Sequence, residues 1–158
     1  MENDNRGNLT LDAQLCFAVY RNSNKIARLY RQYLQPFGLT FPLYLVMIVL
    51  WERAPCHVGH IVQALDLETS TVTPLLKRLQ ALGYVSRTRD QSDERKVTIT
   101  LTAQGHALRK EAVAIRTDFI DRSGMPYDKI AELRTTLHHL SGIIDDLMGS
   151  GREPSRKS

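Results

Sequence analysis

Residues that are apolar save for Asn22 first recur at helical spacing between Leu11 and Leu34. Leu11, Leu15, Val19, Asn22, Ile26, Leu29 and Tyr33 follow one another at intervals of three and four, which is one face of a helix. Phe37-Gly38-Leu39 ends it. Thr40 is placed to cap a second helix, with Pro42 near its first position, where the missing N–H costs nothing. That helix is apolar nearly all round to Trp51, so it belongs at the centre of a core. Arg53-Ala54-Pro55-Cys56 reads as a turn and Val58–Leu65 as a short third helix. A fourth helix starts near Thr69 or Ser70 and stops at Leu82-Gly83, with Leu75, Leu76, Leu79 and Leu82 facing inward. Tyr84–Arg89 and Lys96–Leu101 then alternate as two strands around a charged tip, Asp90–Arg95. Thr102 caps a fifth helix striped by Leu108, Ala112, Ile115 and Phe119. The last helix carries Ile130, Leu133, Leu137, Leu140, Ile144 and Leu147 in a heptad-like seam.

This pattern predicts a mainly α protein with a small β-hairpin wing. Its middle third (residues 42–101) can close a core by itself, whereas helices 11–35 and 102–148 carry apolar stripes with nothing to cover them. A homodimer that buries those ends is the economical solution, and a two-fold pair of reading helices suits half-sites about 34–36 Å apart on DNA. Residues 11–148 thus form one domain, between a flexible N-terminus (1–10) and a disordered basic tail (149–158).

Composition adds bounds. The 158 residues suffice for one real core and are too few for a DNA-binding domain plus a large enzyme. The formal charge is only +4, so the placement of basic groups matters more than their number. The polar start has no signal-peptide core and the run Tyr44–Trp51 is far too short to span a membrane. Two cysteines without paired spacing point to a reducing compartment, the cytoplasm.

The fourth helix and the hairpin are the candidate DNA-reading elements. Ser70, Thr71 and Thr73 are short polar side chains that let a helix approach base edges in the major groove. Lys77 and Arg78 can neutralise phosphates. Arg87, Arg89 and Arg95 line the wing; an arginine at its tip suits the minor groove, and Asp93 can brace Arg95. A merely solvated hairpin is the plainer alternative, less natural directly after a helix-turn-helix.

The run LETSTVTPLLKRLQALGYVSRTRDQSDERKVTITLTAQG resembles the winged helix-turn-helix of MarR-type transcriptional regulators. LCFAVY at Leu15–Tyr20, Leu39-Thr40-Phe41-Pro42 and Leu50-Trp51-Glu52 narrow the likeness to the organic-hydroperoxide regulator (OhrR) subgroup, which is similar to thiol-based virulence regulators. The resemblance implies a repressor that holds a pseudo-palindromic operator on double-stranded DNA. It also implies that organic hydroperoxide oxidises the thiol matching Cys16, which tyrosines matching Tyr20 and Tyr30 hold, the latter from the other subunit. A third family tyrosine is Phe41 here. No cysteine stands near the start of the last helix, where Met125 occurs, so the chain resembles the one-cysteine type and needs a small cellular thiol or further oxidation.

The residues alone leave this open. A lone cysteine on an apolar helix is usually an inert small hydrophobe, and no Lys, Arg or His lies one turn from Cys16. Tyr20 shares its face, but Tyr30 is about 21 Å along the same helix and reaches Cys16 only from a partner. A thiol peroxidase would need a resolving thiol and a reductant surface, neither visible, so no enzyme and no cofactor is expected. A repressor released by a small aromatic or phenolic ligand, with Cys16 structural, is the rival regulator. Cys56-His57-x-x-His60 offers three metal-ligand types without a second cluster, and no metal is expected there or at His138-His139. Cys56 is not at the resolving position.

Overall fold

The computed structural model describes residues 9–89 and 96–150. Six α-helices and three strands follow in the order α1 (Leu15–Leu34), α2 (Phe41–Arg53), β1 (Cys56–His57), α3 (Val58–Leu65), α4 (Thr69–Ala81), β2 (Val85–Arg89), β3 (Val97–Leu101), α5 (Ala103–Ser123) and α6 (Tyr127–Ser150). The mainly α class and the wing are as the pattern predicts. The chain divides into two units, residues 1–111 and 112–158, with α5 running from the first into the second.

The first unit is built around α2, which packs on α1, α3, α4 and β3. Leu43, Tyr44, Val46, Met47, Val49 and Leu50 are all buried, as an all-round apolar helix requires. Burying each such side chain stabilises the unit by roughly 1.5–3 kcal/mol. Thr40 is the residue before α2, but its side chain makes no capping hydrogen bond, which corrects the expected cap. Leu34, Ile61, Val72, Leu76, Leu79 and Ile99 complete the interior. On α4 the inward stripe is Val72–Leu76–Leu79; Leu75 and Leu82, expected inside, are half-buried.

Two further boundaries differ from the pattern. Leu11–Ala13 forms only a 3-10 turn, and extended backbone at Gln14 delays α1 to Leu15. The turn before α3 also contains β1, which pairs antiparallel with β3, giving a three-stranded sheet in the order β1-β3-β2. Two residues are too few to show a period.

The junction between wing and α5 is tightly bonded. Thr102 caps α5: its hydroxyl donates to the Gly83 carbonyl at 2.6 Å and accepts the Gly105 N–H at 3.0 Å. Trp51 Nε1 donates to the Gly105 carbonyl (2.9 Å), and the Tyr84 hydroxyl donates to the Phe37 carbonyl (2.9 Å). Gly83 (φ 80°) closes α4 in the left-handed region, which glycine adopts without strain.

In the second unit, Ala112 and Ile115 are buried, whereas Val113, Met125, Tyr127, Leu133, Leu137, Ile143, Ile144, Leu147 and Met148 are exposed. No single helix among the described residues is long and apolar enough to cross a membrane.

Candidate nucleic-acid interface and thiol site

The turn between α3 and α4 is three residues long. Asp66 adopts φ 51° and ψ 48°, a left-handed conformation that Asp tolerates better than most residues, and Glu68 extends the backbone into α4. At 100° per residue, Ser70, Pro74, Lys77 and Ala81 form one stripe directly opposite Val72, Leu76 and Leu79. All four are exposed. Thr71 and Arg78 flank the stripe on one side and are exposed; Thr73, on the other side, is half-buried. Five of the residues expected to read DNA are therefore brought onto one surface of one helix.

Pro74 and Ala81 were not among the expected residues. Proline inside a helix removes one backbone hydrogen bond and usually ends it. Here it lies in the second turn, on the open face, and α4 continues to Ala81. Glu68 was also missed: its carboxylate accepts the Ser70 hydroxyl proton at 3.1 Å.

The register of the sheet sorts the wing residues. Val85 faces Leu101, Arg87 faces Ile99 and Arg89 faces Val97 across β2 and β3, while Cys56 faces Ile99 from β1. Paired residues share a face, so Arg87 lies on the inner face with buried Ile99 and half-buried Cys56. Its Nε is enclosed with no hydrogen-bond partner among the described residues. Of the wing arginines expected to meet DNA, Arg87 is thus half-buried on the inner face, whereas Arg89, at the strand end, is exposed. The outer face carries hydroxyls: Ser86 bonds Thr100, and Thr98 meets His57 Nδ1 at 3.4 Å. Asp93 and Arg95 lie outside the described residues. Strand alternation sends Cys56 and His57 to opposite faces, which separates two of the three conceivable metal ligands.

Cys16 occupies the first turn of α1 and is exposed. The delayed start of the helix matters here. First-turn N–H groups have no intrahelical acceptor, and this end of the helix dipole favours negative charge. Gln14, the residue before the helix, provides no side-chain cap. Tyr20, one turn on and on the same face, is 66% exposed. Leu15, Val19 and Ile26 form an exposed apolar stripe beside the pair. Tyr30 is only 8% exposed; its ring packs 5.3 Å from Phe41 and 5.4 Å from Tyr44. The phenylalanine at position 41 therefore serves as a packing partner for Tyr30. An open cleft between the Leu11–Ala13 turn and α1 is lined by Asp12, Phe17, Arg21, Asn22 and Lys25, with acid and base both present.

A family model described as transcriptional regulator SarA/Rot matches residues 28–112, just over half of the chain and all of the helix-turn-helix and wing. The chain belongs to the SarA/Rot family of MarR-like winged-helix transcriptional regulators. The HTH-type transcriptional regulator TtmR of Methylorubrum extorquens (strain PA1) is 43% identical over 138 residues, 87% of this chain and 69% of that protein. The organic hydroperoxide resistance transcriptional regulator of Bacillus subtilis (strain 168) is 33% identical over 132 residues, 84% of this chain and 90% of that one.

Among solved structures, reduced AbfR bound to DNA is similar at a TM-score of 0.76 and 36% identity, covering 87% of this chain and 94% of that one. AbfR, from Staphylococcus epidermidis, also has structures overoxidised on DNA and with a disulfide formed. CouR of Rhodococcus jostii RHA1, bound to p-coumaroyl-CoA, is similar at a TM-score of 0.71 and 27% identity, covering 84% and 94% of the two chains.

Proposed function

We propose that this regulator is a homodimeric repressor, acting in the cytoplasm, that leaves a pseudo-palindromic operator when organic hydroperoxide oxidises Cys16. Ser70 and Thr71 lie near base edges, Thr73 at their margin, Lys77 and Arg78 at phosphates; Arg89 and Arg95, with Asp93 bracing the latter, extend the contact through the wing. The exposed apolar stripe of α1 and the exposed apolar residues of α6 support the dimer, because a free chain would leave both in water.

One observation carries the sensor: within a single chain Cys16 stands outside the core, in the first turn of α1 beside Tyr20 and next to the stripe that the dimer covers. The thiolate attacks one peroxide oxygen, the O–O bond breaks, and the alcohol leaves after taking up a proton. Sulfur, oxidised by two electrons, becomes sulfenic acid. A small cellular thiol then condenses with it, forming a mixed disulfide and water. Bulk at Cys16 is the release signal: a mixed disulfide adds a whole residue at the α1 stripe, far more than two sulfinic oxygens. The DNA-bound structure of overoxidised AbfR supports that distinction. Oxidation needs to favour the non-binding arrangement by only about 3 kcal/mol to weaken the operator about 100-fold. Nothing in this role requires catalytic turnover.

Ligand-bound CouR supports a second reading, in which a small aromatic or phenolic ligand releases DNA and Cys16 is structural. Cys16→Ser separates the two, since a ligand-sensing repressor keeps its response.

The chemistry also predicts an order of reaction. Burial pushes the Cys56 thiol up from its ordinary range, so less of it is thiolate at neutral pH. With cumene hydroperoxide at one equivalent plus a small thiol, mass spectrometry should find the adduct on Cys16 before Cys56. Cys56 labelling should accelerate only as pH rises beyond the ordinary thiol range. Adduct formation first on Cys56 would contradict the assignment.

A further inference from the structure

We infer that Glu68, the residue preceding α4, reads a base: its carboxylate accepts an exocyclic amino proton of cytosine in the major groove. The inference rests on the DNA-reading role of α4 and assigns that surface a base preference. Glu68 stands where a helix-capping side chain would, yet it makes no side-chain cap bond. The N–H groups of Thr71 and Val72 go to its backbone carbonyl instead, at 3.0 and 3.1 Å. Its carboxylate turns to the Ser70 hydroxyl at 3.1 Å, and Ser70 opens the exposed Ser70–Pro74–Lys77–Ala81 stripe. It makes no ion pair among the described residues. Ser70 thus engages one carboxylate oxygen and restrains a flexible side chain, leaving the second oxygen available.

A carboxylate on a surface that approaches DNA is repelled by phosphates, and a donor on a base edge offsets that repulsion. The major groove offers two such donors, the N4 amino group of cytosine and the N6 amino group of adenine. Adenine sets its N7 acceptor beside the amino group, which repels a carboxylate; cytosine does not. A glutamine at the same place would instead match adenine, donating to N7 while accepting from N6.

The test is selection from randomised duplexes with the full-length reduced protein, Glu68→Ala and Glu68→Gln, followed by affinity measurements on single-base operator variants. The native chain should require cytosine at one position in each half-site and lose about tenfold when it is replaced. Glu68→Ala should flatten that position alone, with an unchanged melting temperature, and Glu68→Gln should move the preference to adenine. Identical preferences in all three proteins, with affinity for every sequence raised equally by removing the charge, would overturn the inference while leaving DNA binding intact. If the native chain retained no duplex at all, the DNA-reading role would fall and the inference with it.

Discussion

Replacing Gly105 with alanine should lower the stability of the first unit by more than about 3 kcal/mol or prevent its folding. A Cβ built there meets the Tyr84 carbonyl oxygen at 2.1 Å and its carbon at 3.1 Å. Both are backbone atoms, so no side-chain rotation relieves the clash. The surroundings cannot yield without loss either. The Tyr84 carbonyl accepts the Thr102 N–H, the Gly105 N–H is bonded to the Thr102 hydroxyl, and the Gly105 carbonyl accepts the Trp51 indole proton. Moving α5 away breaks bonds to both the wing and α2. Gly59→Ala is the control, because nothing lies within 4 Å of the added methyl. There, in helix α3, alanine should be neutral or raise stability by up to about 1 kcal/mol. Denaturant melts compare the two; a loss below about 1 kcal/mol for Gly105→Ala would refute the close-packing account.

Removing Lys77 and Arg78 together should cost at least about 100-fold in operator affinity while leaving the melting temperature unchanged. Both are exposed on α4, on or beside the stripe opposite its buried face, so neither holds the core. A dimer loses four cations. At about 0.9 per neutralised phosphate, the slope of log affinity against log salt should fall by between about three and four. The measurement is a salt titration of binding, native against double variant. An unchanged slope would mean that this face of α4 does not meet the phosphate backbone.

Much of this was legible in the chain because long periodic segments announce themselves. The all-round apolar run to Trp51 gave away the buried helix, and the hydroxyl run before Leu75 marked the start and the exposed face of α4. Arg87 was legible in principle. It alternates in phase with Val85, so period two already assigns it to the inner face, but its charge drew it into the set expected to meet DNA. Gln14 could not be read: nothing in its side chain announces the extended backbone that brings Cys16 into a first turn. β1 was invisible, since its partner lies about forty residues away. Tyr30 illustrates another limit, because its contact with Phe41 and Tyr44 comes from the packing of α1 on α2 and not from spacing along either helix.

The most direct measurement is fluorescence anisotropy of the full-length chain on DNA from upstream of its own gene. Reduced protein would be compared with protein treated with cumene hydroperoxide and a small thiol, for the native chain and for Cys16→Ser. The native chain should bind when reduced and lose about 100-fold on oxidation, with affinity restored by reductant, while Cys16→Ser binds under both conditions. Equal release of the native chain and Cys16→Ser, or tight binding by a native chain carrying the Cys16 mixed disulfide, would contradict the redox repressor proposed here.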